Sequence, residues 1–114
     1  MVAMRYRKKA RFGKYNAKKT YNDGIRFDSA MEARRYSELK LLVKAKEIEE
    51  LEIQKRYPLH VDATKIGSYV ADFVYRFNGE QIVEDVKGMK TPLYKWKKKH
   101  FEAEYGMPIT EVTA

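Results

Sequence analysis

The chain has 114 residues, of which 44% are hydrophobic, so it is long enough for one domain with an ordinary packed core. It contains no cysteine, which excludes disulfides and thiolate chemistry, and no apolar run of roughly 20 residues, so we expect a soluble, cytoplasmic protein. The formal net charge of +8 favours a polyanionic partner.

Residues 1–18 are predicted to form a basic arm, followed by a single domain over residues 19–114. Residues 1–20 carry eight Lys or Arg and no acid, and the rest of the chain has 16 basic and 16 acidic residues, so the arm accounts for the whole net charge. Interleaved aromatics could stack on unpaired bases. The alternative is a solvated tail that contacts nothing. The residues expected to contact DNA here are Arg5, Arg7, Lys8, Lys9, Arg11, Lys14, Lys18 and Lys19.

A helix is predicted from about Ala30 to Ala45, after a short ribbon that turns at Asn22-Asp23-Gly24. Ser29 is a good N-cap, and Glu32 stands three positions later as in a capping box. Glu32 also begins a stripe, at spacings of four, three and four, whose other members are apolar: Tyr36, Leu39 and Val43. Glu32 therefore either folds back on Ser29 or projects from the core-facing side towards a partner or a cation.

The stretch from Ile48 to Tyr57 alternates apolar and polar residues and is predicted to be the first strand of the sheet, ended by Pro58. Gln54 lies on its polar face. The segment from His60 to Ser68 is polar and contains Gly67, so a turn is expected there.

Two strands joined by a tight turn are predicted from Tyr69 to Phe77 and from Gln81 to Lys87, because Asn78-Gly79 favours a two-residue hairpin. Asp72 lies in the middle of the first strand, where a carboxylate is a poor strand former. Side chains alternate along a strand, so Asp85 and Lys87 must point to one side and Glu84 to the other. The spacing therefore selects Asp85 over Glu84 as the partner of Lys87.

A second helix is predicted from about Pro92 to Tyr105, capped by Thr91 and closed by Gly106, and a short last strand follows from Pro108 to Val112. Trp96 is interpreted as a core anchor rather than a base-stacking residue. Lys97 and Lys98 are expected to contact DNA. For Lys95 and Lys99, a solvated helix face is an equally good interpretation.

The two-stranded segment, VADFVY followed by IVEDVKG, resembles the PD-(D/E)XK nucleases, which carry an acid on one strand and acid-x-Lys on the next. More narrowly, it is similar to the small phage-encoded members thought to act as Holliday-junction resolvases. The match runs from about Phe27 to Val112, although Ala71 replaces the proline of the family name. The resemblance implies an α/β (α+β) restriction-endonuclease-like core with the order helix, three strands, helix, strand.

The same resemblance implies an Mg²⁺-dependent endodeoxyribonuclease, with Mn²⁺ as a substitute, in a bacterial or phage-infected cell. Asp72, Asp85 and the carbonyl of Val86 would bind the metal, Glu32 would reach the same site from the first helix, and Lys87 would act on the attacking water or the transition state. Gln54 is a further candidate near the site. A branched substrate with two-fold symmetry would call for a homodimer.

Two other functions remain open from the sequence. A small, non-catalytic nucleic-acid-binding protein would have the same basic arm and size, with Asp72, Asp85 and Lys87 as a structural ion-pair group. A nickase of linear duplex DNA would share the site and differ only in substrate.

Overall fold

A four-stranded mixed sheet lies at the centre of the computed structural model, which describes residues 19–113. The strands are β1 (Thr20–Asn22), β2 (Ile25–Phe27), β3 (Glu49–Val61), β4 (Thr64–Phe77), β5 (Glu80–Val86) and β6 (Ile109–Val112), and the helices are α1 (Ala30–Lys44) and α2 (Pro92–Tyr105). The predicted mixed class of helices and strands is confirmed. The predicted basic arm lies outside the described residues.

The central sheet has the strand order β3-β4-β5-β6. Neighbouring strands are antiparallel except for β5 and β6, which run parallel with Asp85 opposite Glu111. The turn between β4 and β5 is the predicted one: Asn78 and Gly79 have φ of 51° and 81°, the left-handed pair that a tight hairpin requires. The strands β1 and β2 form a separate two-stranded ribbon.

The prediction that Pro58 ends the first strand is wrong, and so is the expected turn from His60 to Ser68. The strand β3 continues to Val61, pairing Pro58 with Ser68, and the chain reverses only at Asp62 and Ala63. Proline is tolerated here because β3 is an edge strand, where a backbone N–H can be lacking without breaking the sheet. The two long strands bring residues of the predicted loop into the sheet.

The two helices cover opposite faces of the sheet. On one face, Tyr94 and Phe101 of α2 pack in a cluster with Val74 and Val83. On the other face, α1 packs against the neighbouring side chains of the same strands; this cluster contains Ala33, Tyr36, Leu39, Phe73, Tyr75 and Val86. Burial on both faces explains why the middle of β4 reads YVADFVY, a nearly continuous apolar and aromatic run.

Both helices begin with the predicted caps. The Ser29 hydroxyl accepts a hydrogen bond from the Glu32 N–H at 3.0 Å, and the Thr91 hydroxyl accepts one from the Tyr94 N–H at 3.1 Å. Gly106 closes α2 with φ of 68°. The predicted stripe of α1 ends early, because Val43 is exposed and Leu42 contacts the core instead. No helix among residues 19–113 is long and apolar enough to span a membrane.

Candidate active site

Asp85 and Lys87 lie at the end of β5 and on the same side of the sheet, as their spacing predicts. The Lys87 ammonium is 3.6 Å from Oδ1 of Asp85 and 4.0 Å from the centre of the Tyr94 ring. Asp85 is only 3% exposed, and its Oδ2 accepts a hydrogen bond of 2.9 Å from the Tyr69 hydroxyl. The strand end thus presents one buried carboxyl group and one ammonium group, each held by an aromatic residue.

Asp72 lies close to Asp85 because the regular alternation of side chains between the two faces of the sheet is interrupted at Asp72 in β4. Tyr69 and Ala71 pack on the α2 side, whereas Phe73 and Tyr75, which a regular strand would place on the same side, pack on the α1 side. The Asp72 carboxylate accepts a hydrogen bond of 2.8 Å from the Val86 N–H and lies within hydrogen-bonding reach of both Asp85 and Glu32. Asp72 therefore connects the two faces of the sheet.

Glu32 combines both of the roles considered for it. Its backbone N–H donates to the Ser29 hydroxyl, which in turn donates to the Glu32 carboxylate at 3.3 Å, so Ser29 caps the helix but the carboxylate bonds to its hydroxyl rather than to its backbone N–H as in a full capping box. The same carboxyl group is within hydrogen-bonding reach of Asp72, and the negative charge of Asp85 contributes to raising the pKa of Glu32. Glu32 thus reaches from α1 towards the two strand carboxyl groups while it stays bonded to the N-cap Ser29.

The three carboxyl groups are hard to ionise together. Burial raises the pKa of Asp72 to about 6, and the charge of Glu32 adds to the shift. Burial, followed by the hydrogen bond with Asp72 and its charge, raises the pKa of Asp85 to about 8. Burial also raises the pKa of Glu32 above its ordinary value. In the metal-free protein the raised pKa values of Asp72 and Asp85 favour a proton held between the two carboxyl groups.

The chemistry of this pair suits a small divalent cation. Mg²⁺ is commonly bound by one or two carboxylates, with water and substrate phosphate completing its shell. Asp72 and Asp85 can supply that pair, and a cation between them would take the place of the shared proton. Val86 lies between Asp85 and Lys87, so its backbone belongs to the same cluster. Within residues 19–113, however, no group of three or more His, Cys, Asp or Glu side chains is already arranged to hold a metal.

Gln54 lies beside the site, but its side chain hydrogen-bonds elsewhere. The pairing of Ile53 with Phe73 and of Lys55 with Ala71 places Gln54 opposite Asp72. Its φ of 51° is left-handed, and its side-chain amide donates to the Arg26 carbonyl at 3.2 Å. Its contact is therefore with β2 rather than with the carboxyl groups.

An ion pair between a buried carboxylate and a half-buried guanidinium lies next to the site and was not predicted from the sequence. Glu84 is 1% exposed and accepts two hydrogen bonds from the Arg35 guanidinium, at 2.9 and 2.6 Å, and a third from the Tyr75 hydroxyl. Arg35 lies one turn after Glu32, so the pair fastens α1 to β5 directly beside the carboxyl cluster. The i, i+3 spacing of Glu32 and Arg35 in the sequence could have indicated that both side chains project from the same face of α1.

The predicted DNA-contacting lysines differ in exposure. Lys19 is exposed, Lys97 and Lys98 are half-buried, and Lys98 is paired with Glu102 at 3.4 Å. Trp96 is not a core anchor, because it is 51% exposed, so that prediction is wrong. The residues of the arm, from Arg5 to Lys18, lie outside the described part of the chain.

Comparison with known proteins places residues 12–111 in one family, whose description is "Protein of unknown function (DUF1064)". The match covers most of the chain, which therefore belongs to this family. No curated protein and no solved structure matches the chain. Any activity has to be inferred from the site.

Proposed function

We propose that this protein is a metal-dependent DNA endonuclease of the PD-(D/E)XK kind. The observation that carries the proposal is the convergence of Asp72, Asp85 and Glu32, with the Lys87 ammonium 3.6 Å from Asp85. Structural ion pairs neutralise charge, whereas this cluster combines three acids with one lysine, which is paired with Asp85, and the pKa values of Asp72 and Asp85 are strongly raised. In such a cluster the carboxylates can bind a cation and the lysine can contact a phosphate.

Asp72 and Asp85 would hold Mg²⁺ or Mn²⁺, with the carbonyl of Val86 as a further ligand, and Glu32 would orient a bound water. The cation, when bound, supplies activation of water and neutralisation of charge on the phosphate. Lys87 would sit beside the attacking water, where its ammonium could orient that water by donating a hydrogen bond or stabilise the charge of the transition state. The Tyr94 ring restricts the Lys87 side chain from one side, so the ammonium is positioned before substrate arrives.

Branched DNA is the substrate we propose, in recombination or DNA processing in the cytoplasm of a bacterial or phage-infected cell. This part of the proposal rests on the sequence resemblance to phage Holliday-junction resolvases. A four-way junction has two-fold symmetry, so a homodimer could cut two strands at equivalent positions. The basic residues supply sequence-independent affinity for the phosphates.

The competing function is a non-catalytic nucleic-acid-binding protein, and one observation favours it. The carboxyl groups are not arranged as a ready three-residue metal site within residues 19–113. In that case the shared proton would be the permanent occupant of the site, and Lys87 would serve as a structural partner of Asp85. A nickase of linear duplex would use the proposed site unchanged.

The deciding experiment is cleavage of a labelled four-way DNA junction, beside a linear duplex of the same sequence, in Mg²⁺, Mn²⁺ and EDTA. We expect paired nicks on the junction that disappear in EDTA and in the Lys87→Ala variant. Lys44→Ala, which removes an exposed lysine at the end of α1, is the matched control and should cut normally. Binding without cleavage in either metal would favour the non-catalytic function, and equal cutting of both substrates would favour the nickase.

A further inference from the structure

The outward face of α2 carries an exposed tryptophan flanked by lysines. Tyr94 and Phe101 occupy the inner face of the helix and pack in the core, so Trp96 projects away from the sheet and is 51% exposed. Lys95 and Lys99 are exposed on the same outer side, one position before Trp96 and about one turn after it. Neither lysine pairs with a carboxylate among residues 19–113. This surface is both aromatic and cationic.

The indole is held in place by a chain of contacts that ends on the sheet. Its ring lies against the His100 ring, with centroids 5.4 Å apart and planes inclined by 35°. The His100 Nε2–H donates to the His60 carbonyl at 2.8 Å, and Glu104 accepts from both the His60 N–H and its Nδ1, each at 2.7 Å. Across the described part of the chain, His100 is the only ring that contacts Trp96. The indole is thus supported on one side and open to a ligand elsewhere.

Charge and chemistry together select the occupant of this surface. Tryptophan is enriched at interaction surfaces, because its indole combines a large apolar face with a polar N–H. A second copy of the chain is disfavoured, because a symmetric contact would bring Lys95 and Lys99 against their own equivalents. A single nucleic-acid strand supplies both complements, since every base offers a flat π-face and every phosphate a negative charge.

We propose that the outward face of α2 binds unpaired nucleotides of the substrate, with a base stacked on Trp96 and phosphates contacted by Lys95 and Lys99. The inference rests on the proposed function in taking this nucleic acid to be the DNA cut at the carboxyl cluster. The helix begins beside that cluster, where the Tyr94 ring contacts Lys87, and it is about 10 Å across. A strand leaving the site can therefore reach Trp96 within a few nucleotides. The substrate class is DNA with an unpaired segment at or near the cleaved bond.

Trp96 is the one tryptophan of the chain, so its fluorescence reports on this surface alone. The titrant is a short single-stranded oligothymidylate, compared with a blunt duplex, in EDTA so that no cleavage occurs. We expect the single strand to quench the tryptophan fluorescence and the duplex to quench it much less. Fluorescence anisotropy of a labelled oligonucleotide then measures affinity: Trp96→Ala should weaken single-strand binding by about tenfold, and Trp96→Phe should recover most of it.

Leu41→Ala is the matched control, because Leu41 is a 66% exposed apolar residue of the other helix, α1. The Leu41→Ala variant should bind the single strand and the duplex with the same affinities as the wild type. If the single strand does not quench the fluorescence and Trp96→Ala binds it with unchanged affinity, the proposal is overturned. The proposal is also overturned if analytical ultracentrifugation shows that Trp96→Ala has lost self-association, because the face would then bind a second copy of the chain. Quenching in a protein that cuts no DNA would support this binding surface while refuting the nuclease, so the two failures are distinguishable.

Discussion

Replacing Asp85 by Asn should stabilise the metal-free protein at alkaline pH. The pKa of Asp85 is about 8 in the folded protein, against an ordinary value near 3.8. Each unit of difference corresponds to about 1.4 kcal/mol, so ionising Asp85 within the fold lowers the free energy of unfolding by on the order of 5 kcal/mol. Asp72 is raised by part of the same repulsion, so its shift is not added.

The sign follows from proton binding. Between about pH 4 and pH 8 the folded protein keeps a proton that the unfolded chain has lost, so wild-type stability falls as the pH rises through this range. The amide of Asn can donate to Asp72 as the protonated acid does, and its oxygen can still accept from the Tyr69 hydroxyl. We therefore expect Asp85→Asn to exceed the wild type by about 3 to 5 kcal/mol near pH 9, and by less than about 1 kcal/mol near pH 4.5.

Urea unfolding followed by far-UV circular dichroism, in EDTA at several pH values, measures these differences. Glu84→Gln is the matched control, because Glu84 is the neighbouring buried carboxylate but is paired with Arg35. Removing one partner of that pair should destabilise the protein by about 3 kcal/mol without a reversal at high pH. An Asp85→Asn protein that is less stable than the wild type near pH 9, or a difference that does not grow with pH, would refute the reasoning.

Two further predictions concern binding and catalysis. Deleting residues 1–18 removes seven basic residues, so the slope of log affinity for duplex DNA against log salt should flatten by up to about 6; an unchanged slope would show that the arm is a bystander. Tyr69→Phe removes a hydrogen bond that lowers the pKa of Asp85. In a pH–rate profile, the pH at which DNA cleavage reaches half its maximum should therefore rise by about 0.5 to 1 unit. Tyr75→Phe, whose hydroxyl donates to Glu84 on the other face of the sheet, should leave that profile in place.

Local sequence signals predicted the parts of the fold that depend on neighbouring residues. Asn78-Gly79 predicted the hairpin turn, Ser29 and Thr91 predicted the helix starts, and the period of two placed Lys87 beside Asp85. Each of these depends on backbone geometry within a few residues.

The parts that were missed depend on partners distant in sequence. Pro58 is accepted within a strand because β3 lies at the edge of the sheet, a fact of topology. The alternation breaks opposite the left-handed Gln54, and this break brings Asp72 to both Glu32 and Asp85. The exposure of Trp96 likewise follows from which face of α2 meets the sheet.

The central claim is that the carboxyl pair exchanges its proton for a divalent cation, and Mn²⁺ binding tests it most directly. Titration at about pH 7, with free Mn²⁺ followed by electron paramagnetic resonance and released acid by a pH indicator, should give about one proton per ion bound, because Asp85 is still protonated there. Asp85→Asn should bind far more weakly and release no proton, whereas Lys44→Ala should match the wild type. Absence of Mn²⁺ binding, or equal binding by Asp85→Asn, would contradict the account.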